Sequence, residues 1–179
     1  MIGGAMKGLI LIAVLFAASA HAQHGSYSGQ ENRDIKSLSA EEVKQYLSGA
    51  GMGYAKAAEL NHYPGPMHVL ELADRLGLSA EQRNATKALM DAHKAHARAI
   101  GAKLVDAERA LEQLFRKGGV DEGALADAVR KAASLQGEYR LSHLETHRRM
   151  RALLSPAQIR QYDELRGYGK GRPKQEHKH

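Results

Sequence analysis

The stretch from Ser79 to Lys117, SAEQRNATKALMDAHKAHARAIGAKLVDAERALEQLFRK, contains no proline and one interior glycine, Gly101. It is rich in Ala, Leu, Glu, Lys and Arg, the strongest helix formers. Leu89, His93, His96, Ile100, Leu104, Ala107, Leu111 and Leu114 recur in steps of three and four, one face of an α-helix. Gly118-Gly119 ends the pattern as a C-cap pair. A second helical run, Asp121 to Leu153, follows at once. Its stripe reads Leu125, Val129, Ala132, Gln136, Tyr139, His143, His147, Met150 and Leu154. So short a connection makes the two helices antiparallel neighbours. Folding about Gly118-Gly119 sets residues whose numbers sum to about 237–240 face to face. His96 is then expected opposite His143 and His93 opposite His147, four histidines at one level of a hairpin.

Outward from this hairpin, the N-terminal 22 residues read as a secretory signal peptide. Lys7 supplies the n-region charge, Leu9 to Ala18 a short apolar core, and Ala20-His21-Ala22 a cleavage site. That core is too short to span a bilayer. Removing 22 residues from 179, and Lys7 from a net charge of +6, leaves a 157-residue chain of charge +5, one mildly basic domain. The expected location is the periplasm, as a soluble exported protein. There are no cysteines, which excludes disulfides, thiolate metal sites and cysteine nucleophiles. Aromatic residues make up 5% of the chain and Trp is absent, so the core must be thin helix-on-helix packing rich in alanine.

Gln23 to Asp34 is polar and reads as a flexible arm. Leu38-Ser39-Ala40-Glu41-Glu42 then forms a capping box, with Leu38 and Val43 as a hydrophobic staple. The same device recurs at Leu78-Ser79-Ala80-Glu81-Gln82 and at Leu154-Ser155-Pro156-Ala157-Gln158. Between the first two boxes, Gly49, Gly51 and Gly53 interrupt the chain. Tyr54 to Leu60 is expected to form two turns of helix, and Tyr63-Pro64-Gly65-Pro66 is a firm break. Met67 to Leu76 is expected to be a helix ending at Gly77. His62 and His68 flank the break and read as turn residues first and weaker metal candidates second. Residues 169–179 form a basic, His-containing tail in which His177 and His179 are generic metal contacts.

An exported, cysteine-free, all-helical chain with L-S-x-x-[E/Q] boxes at Leu78–Gln82 and Leu154–Gln158 resembles the Spy/CpxP group of periplasmic proteins. Its hallmark is a twice-occurring L-T-x-x-Q motif; Ser replaces Thr in both copies here. The resemblance covers about Met67 to Tyr168, and Ala58-Glu59-Leu60-Asn61 to Pro66 is similar to the group's metal-resistance members, CnrX- and ZraP-like proteins included. It implies a bent helical hairpin that dimerises into a shallow cradle. Some members bind unfolded clients without ATP. Others bind a membrane sensor kinase, and others bind nickel, cobalt, zinc or copper. Membership does not choose among these.

The residues themselves support two readings. Pairs at i,i+3 and i,i+4 share a helix face, so His93/His96 and His143/His147 suit a divalent transition metal such as zinc, copper or nickel. Met150, one turn beyond His147, would favour copper(I). The plainer reading is four semi-polar fillers along a half-exposed seam. The second functional reading is a basic, partly apolar cradle for unfolded proteins or a sensor partner, carried by Lys94, Arg98, Lys103, Arg140, Arg148, Met150 and Arg151. Its plain counterpart is a solvated helix face, with i,i+4 pairs such as Glu108–Glu112 (repulsive) and Asp127–Lys131 (attractive). Nucleic-acid binding lacks a recognition motif. Catalysis lacks a Ser-His-Asp set, an H-E-x-x-H and a phosphate loop, and no organic cofactor is expected. The expectation is an all-α, elongated antiparallel hairpin with short flanking helices over residues 37–168. It should form a homodimer and act by binding, not as an enzyme.

Overall fold

The computed structural model describes residues 27–168. The signal peptide, the start of the arm and the His-bearing tail expected from the sequence lie outside them. Six helices follow in order and no strand occurs among the described residues: α1 Ala40–Ser48, α2 Lys56–Glu59, α3 Pro66–Glu71, α4 Ala80–Lys117, α5 Glu122–Ala152 and α6 Pro156–Arg166. No helix among the described residues is long and apolar enough to cross a membrane. The α4–α5 hairpin forms as its stripes require, with Ser79 and Asp121 as N-caps and Gly118 as the α4 C-cap.

The three expected capping boxes all form, at Ser39/Glu42, Ser79/Gln82 and Ser155/Gln158. The last two also meet each other. Gln82 Nε2 donates to Gln158 Oε1 at 2.9 Å, and Gln158 Nε2 donates to Gln82 Oε1 at 3.0 Å. Each amide nitrogen reaches a second acceptor, Leu153 O for Gln82 and Leu76 O for Gln158. Each amide oxygen meanwhile closes its own box on a serine N–H. Glutamate has no N–H to give, so glutamine is the residue that caps and clasps together. Glu42, in the box without a partner, only caps.

The flanking segments depart from expectation in two places. Tyr54 to Leu60 yields one turn, α2, and the run from Met67 yields α3, ending at Glu71 instead of Leu76. Short helices have few internal hydrogen bonds, so turns that pack well displace their last residues. The described part of the arm, residues 27–36, is docked along α4. Ile35 is buried, Lys36 Nζ lies 2.6 Å from Glu112 Oε1, and Ser37 Oγ donates to Glu108. The Glu108–Glu112 repulsion is thereby offset, and the Glu112 carboxyl is pulled down to about 2 by Lys36 and Arg116. Asp127 pairs with Arg130 and not with Lys131.

Two apolar clusters fill the molecule. One joins Ile35, Tyr46, Ala97, Ile100, Leu104, Val105, Ala132, Leu135 and Tyr139. The other joins Val69, Ala73, Leu76, Leu78, Leu89, Met150, Leu154, Ile159 and Tyr162. Gly101 lets α1 press onto α4: a Cβ there would stand 2.1 Å from Tyr46 O. Between the clusters α4 contributes His93, and α5 contributes His143, Thr146 and His147. A polar layer therefore separates two greasy ones.

Candidate metal centre

At this layer the hairpin register differs from the expected one by a helical turn. His93, not His96, meets His143: His93 Nε2 lies 3.0 Å from His143 Nδ1, with the rings edge-on at 4.5 Å. His96 is solvent-exposed and lines a separate groove, about 450 Å³, with Leu89, Ile100 and Leu141. The expected four-way convergence does not form: His93 and His143 pair, and His147 lines the same cleft. The slip arises because the α4–α5 connection sets the facing residues, and a stripe repeating every three or four positions fits adjacent turns almost equally well.

His93, His143 and His147 line one cleft of about 490 Å³, together with His68, Met67 and Met90. Each histidine is oriented by its Nδ1 side. His147 Nδ1 lies 2.8 Å from the Tyr63 carbonyl. A carbonyl only accepts, so Nδ1 carries the proton and the neutral ring keeps a bare Nε2 lone pair. Gly65 makes room for that edge, since a Cβ at Gly65 would stand 2.9 Å from His147 Cε1. His68 Nδ1 is held by Glu71 Oε2 at 2.8 Å, with the same outcome for its neutral ring. His143 is buried and its Nε2 has no hydrogen-bond partner. If His143 Nδ1 donates to His93 Nε2, and His93 Nδ1 in turn donates to Ser142 Oγ at 3.2 Å, His143 Nε2 also presents a lone pair. Ligating histidines are characteristically oriented by the far nitrogen donating to a carbonyl, a carboxylate or water, as His147 and His68 are here.

The layer also favours neutral rings. Burial, then the neighbouring His147 and His96, pushes His93 down to about 4. Burial, then His93 and His147, pushes His143 to about 4. Glu59 is spent elsewhere: it accepts from Gly65 N, Tyr162 and Tyr168, and sits 3.5 Å from His147 Nδ1. Among the described residues no three His, Cys, Asp or Glu side chains already stand together as a metal-binding group. Ligation would draw the Nε2 atoms together across the cleft.

The other sequence candidates fall into place individually. Met150 is fully buried in the second apolar cluster, so it serves neither a client surface nor a metal. The same cluster holds Leu89 of α4 and Tyr162 of α6. Arg151 stacks over Tyr63 at 4.7 Å and donates to the His62 carbonyl, which fixes the break that carries Gly65. Arg148 pairs with Glu145, and Arg98 donates to Ser48 O. Lys94, at the cleft's edge, and Lys103 and Arg140 are exposed. His68, Met67 and Met90 were not legible as cleft residues. The one sequence signal was the pair of histidines flanking the Pro-Gly-Pro break, and His62 pairs instead with Asp163 at 2.7 Å.

No curated protein and no solved structure matches this chain. A family model described as heavy-metal resistance matches residues 8–161, which include all six helices but the end of the last. The resemblance drawn from the two glutamine boxes holds: the chain belongs to the heavy-metal resistance family.

Proposed function

We propose that the protein is an exported metal-homeostasis protein that binds a transition-metal ion as a sensor or buffer. His143 and His147 are the principal ligands, His68 supplies a third nitrogen, and His93 positions His143. One observation carries the reading: the buried His143 Nε2 has no hydrogen-bond partner and lines the same cleft as His147, whose proton is committed to the Tyr63 carbonyl. An unpartnered buried polar atom costs about 1–3 kcal/mol, and a ligand bond would relieve that cost. The i,i+4 spacing of His143 and His147 keeps both rings on one face of α5. A bound ion would supply a positive centre that ties the two imidazoles to α3. The chain's own part is to hold neutral rings, exclude bulk water with the flanking apolar clusters, and orient each Nε2. Family membership supports heavy-metal resistance in general, and the role is binding, not catalysis.

The test is calorimetric titration of zinc, copper(II) and nickel into the chain truncated after Gly167. Micromolar or tighter binding is expected, abolished in His143→Ala/His147→Ala and weakened about 10–100-fold in His93→Ala, as for loss of an orienting partner. Undiminished binding in the double variant would refute the assignment.

A second reading has its own support. Leu141 is 64% exposed and Val129 47% exposed on α5, and the cations Lys103 and Arg140 are exposed as well. Such exposed apolar side chains suit a holdase or an adaptor for a sensor protein. Suppression of a client's aggregation without metal would favour it.

A further inference from the structure

We infer that the cleft takes a small amphipathic carboxylic acid, its carboxylate met by the ammonium groups of Lys56 and Lys94 and its apolar body laid on Leu60, Met67 and Met90. This goes beyond the metal reading and does not depend on it, since the lysines stand on α2 and α4 and the proposed metal ligands on α3 and α5. The cleft, about 490 Å³, falls within the roughly 300–1,000 Å³ of sites that hold small organic molecules. All five side chains line it. Lys56 and Leu60 stand at i and i+4 across the single turn of α2, and Met90 and Lys94 at i and i+4 on α4. That spacing puts both members of a pair on one side of their helix. Each helix therefore offers the cleft one cation and one apolar side chain.

The charges of the lining leave an anion to be supplied. Lys56, Lys94 and Arg166 share the cleft with one carboxylate, Glu59. Glu59 lies 3.7 Å from Arg166 Nε and accepts from Tyr162, Tyr168 and Gly65 N, so it is committed. Asp91, one turn before Lys94, is tied to Lys87 at 2.7 Å. Among the described residues neither Lys56 nor Lys94 makes an ion pair or a hydrogen bond. An ammonium group donates to a carboxylate in a charge-assisted hydrogen bond, the stronger kind. Leu60 and Met67 are large apolar side chains that line the cleft and are nonetheless exposed. A solvated lysine by itself asks for no ligand. Two unpaired lysines beside two exposed apolar side chains, in one concave site, match a molecule with an anionic head and an apolar body. Gly51 and Gly53 keep the space clear, since each lines the cleft without a side chain.

The experiment titrates octanoate into the chain from Gln23 to His179 without metal, with octanol, the uncharged alcohol of the same length, alongside. A Kd below about 100 μM is expected for octanoate, with octanol at least about tenfold weaker. Lys56→Glu/Lys94→Glu changes two exposed side chains and should weaken octanoate at least about tenfold, whereas Lys56→Arg/Lys94→Arg should keep it within about threefold. Methyl NMR on methionine locates the ligand: the Met67 and Met90 signals should move on titration and that of Met150, sealed in the core, should not. Absence of saturable octanoate binding, octanol binding as tightly as octanoate, affinity unchanged in the glutamate variant, or Met67 and Met90 signals that stay fixed would each overturn the assignment. None of these outcomes touches the histidine site, because no metal is present. A parent chain that takes octanoate but no metal would separate the two readings the other way.

Discussion

The His93–His143 pair ties the site to pH in a direction that can be worked out. Both rings are held near 4 in the folded chain, below the ordinary histidine value of 6.5. The unfolded chain therefore takes up protons first as pH falls. Stability of the metal-free protein is complete above about pH 6.5 and is lost as pH drops towards 4, by up to about 1.4 kcal/mol per pH unit for each ring. Thermal unfolding followed from pH 8 to 4 should reveal that fall, and His93→Gln should flatten it. A melting temperature independent of pH across this window would contradict the buried, neutral pair. The same linkage makes metal uptake fail in acid. At this scale the sequence was half legible. Residue type and i,i+4 spacing picked out His143 and His147, because spacing along one helix is fixed by its geometry. The partner across the hairpin was misplaced by a turn, because nothing local to His93 or His96 distinguishes them. His68 ranked low as a candidate because it sits in an irregular segment, where no periodicity exists to read.

The helices themselves were largely written in local signals, and their exceptions are tertiary. The capping boxes predicted the starts of α1, α4 and α6, and Gly118 the end of α4. What capping logic cannot tell is why two boxes end in glutamine, since glutamate caps equally well. The answer lies in the reciprocal amide pair between Gln82 and Gln158. Gln82→Glu should therefore preserve the box yet set a carboxylate against Gln158 Oε1 and the Leu153 carbonyl. A loss of about 1–3 kcal/mol in chemical denaturation is expected, the range for stranding buried hydrogen-bonding groups. A neutral result would mean that the clasp is dispensable. Gly101 poses the opposite puzzle, because alanine is about 1 kcal/mol better in a helix interior. Its Cβ would collide with Tyr46 O, so Gly101→Ala should cost about 1–3 kcal/mol net by forcing α1 away. A stabilised variant would show that α1 docks loosely.

Across the molecule, a long two-helix hairpin leaves apolar surface that no element among the described residues covers. Two grooves run along one side of α4 and α5 and share Leu89, Ala92 and Arg149; one continues past Leu141 and Ile100, the other past Ala85, Ala88 and Leu153. The charges on this strip have both signs, Glu138 and Glu145 near Leu141 and Arg149 further along. A second copy laid antiparallel under two-fold symmetry brings the acids of one chain towards the arginine of the other, the self-complementarity that such an interface needs. Small residues at Ala85, Ala88 and Ala92 let two helices approach closely. The expected outcome is a dimer in sedimentation velocity at micromolar concentration. Leu141→Glu should weaken it at least about tenfold, or about 1.4 kcal/mol, while leaving the helical content and the metal cleft unchanged. Leu141 is the informative site because it is the most exposed large apolar side chain on either hairpin helix. A parent chain that stays monomeric throughout would leave this strip open in solution. The exposed Leu141 beside Arg140 would then weigh towards capture of unfolded or partner proteins, to be measured with the same variant in an aggregation assay.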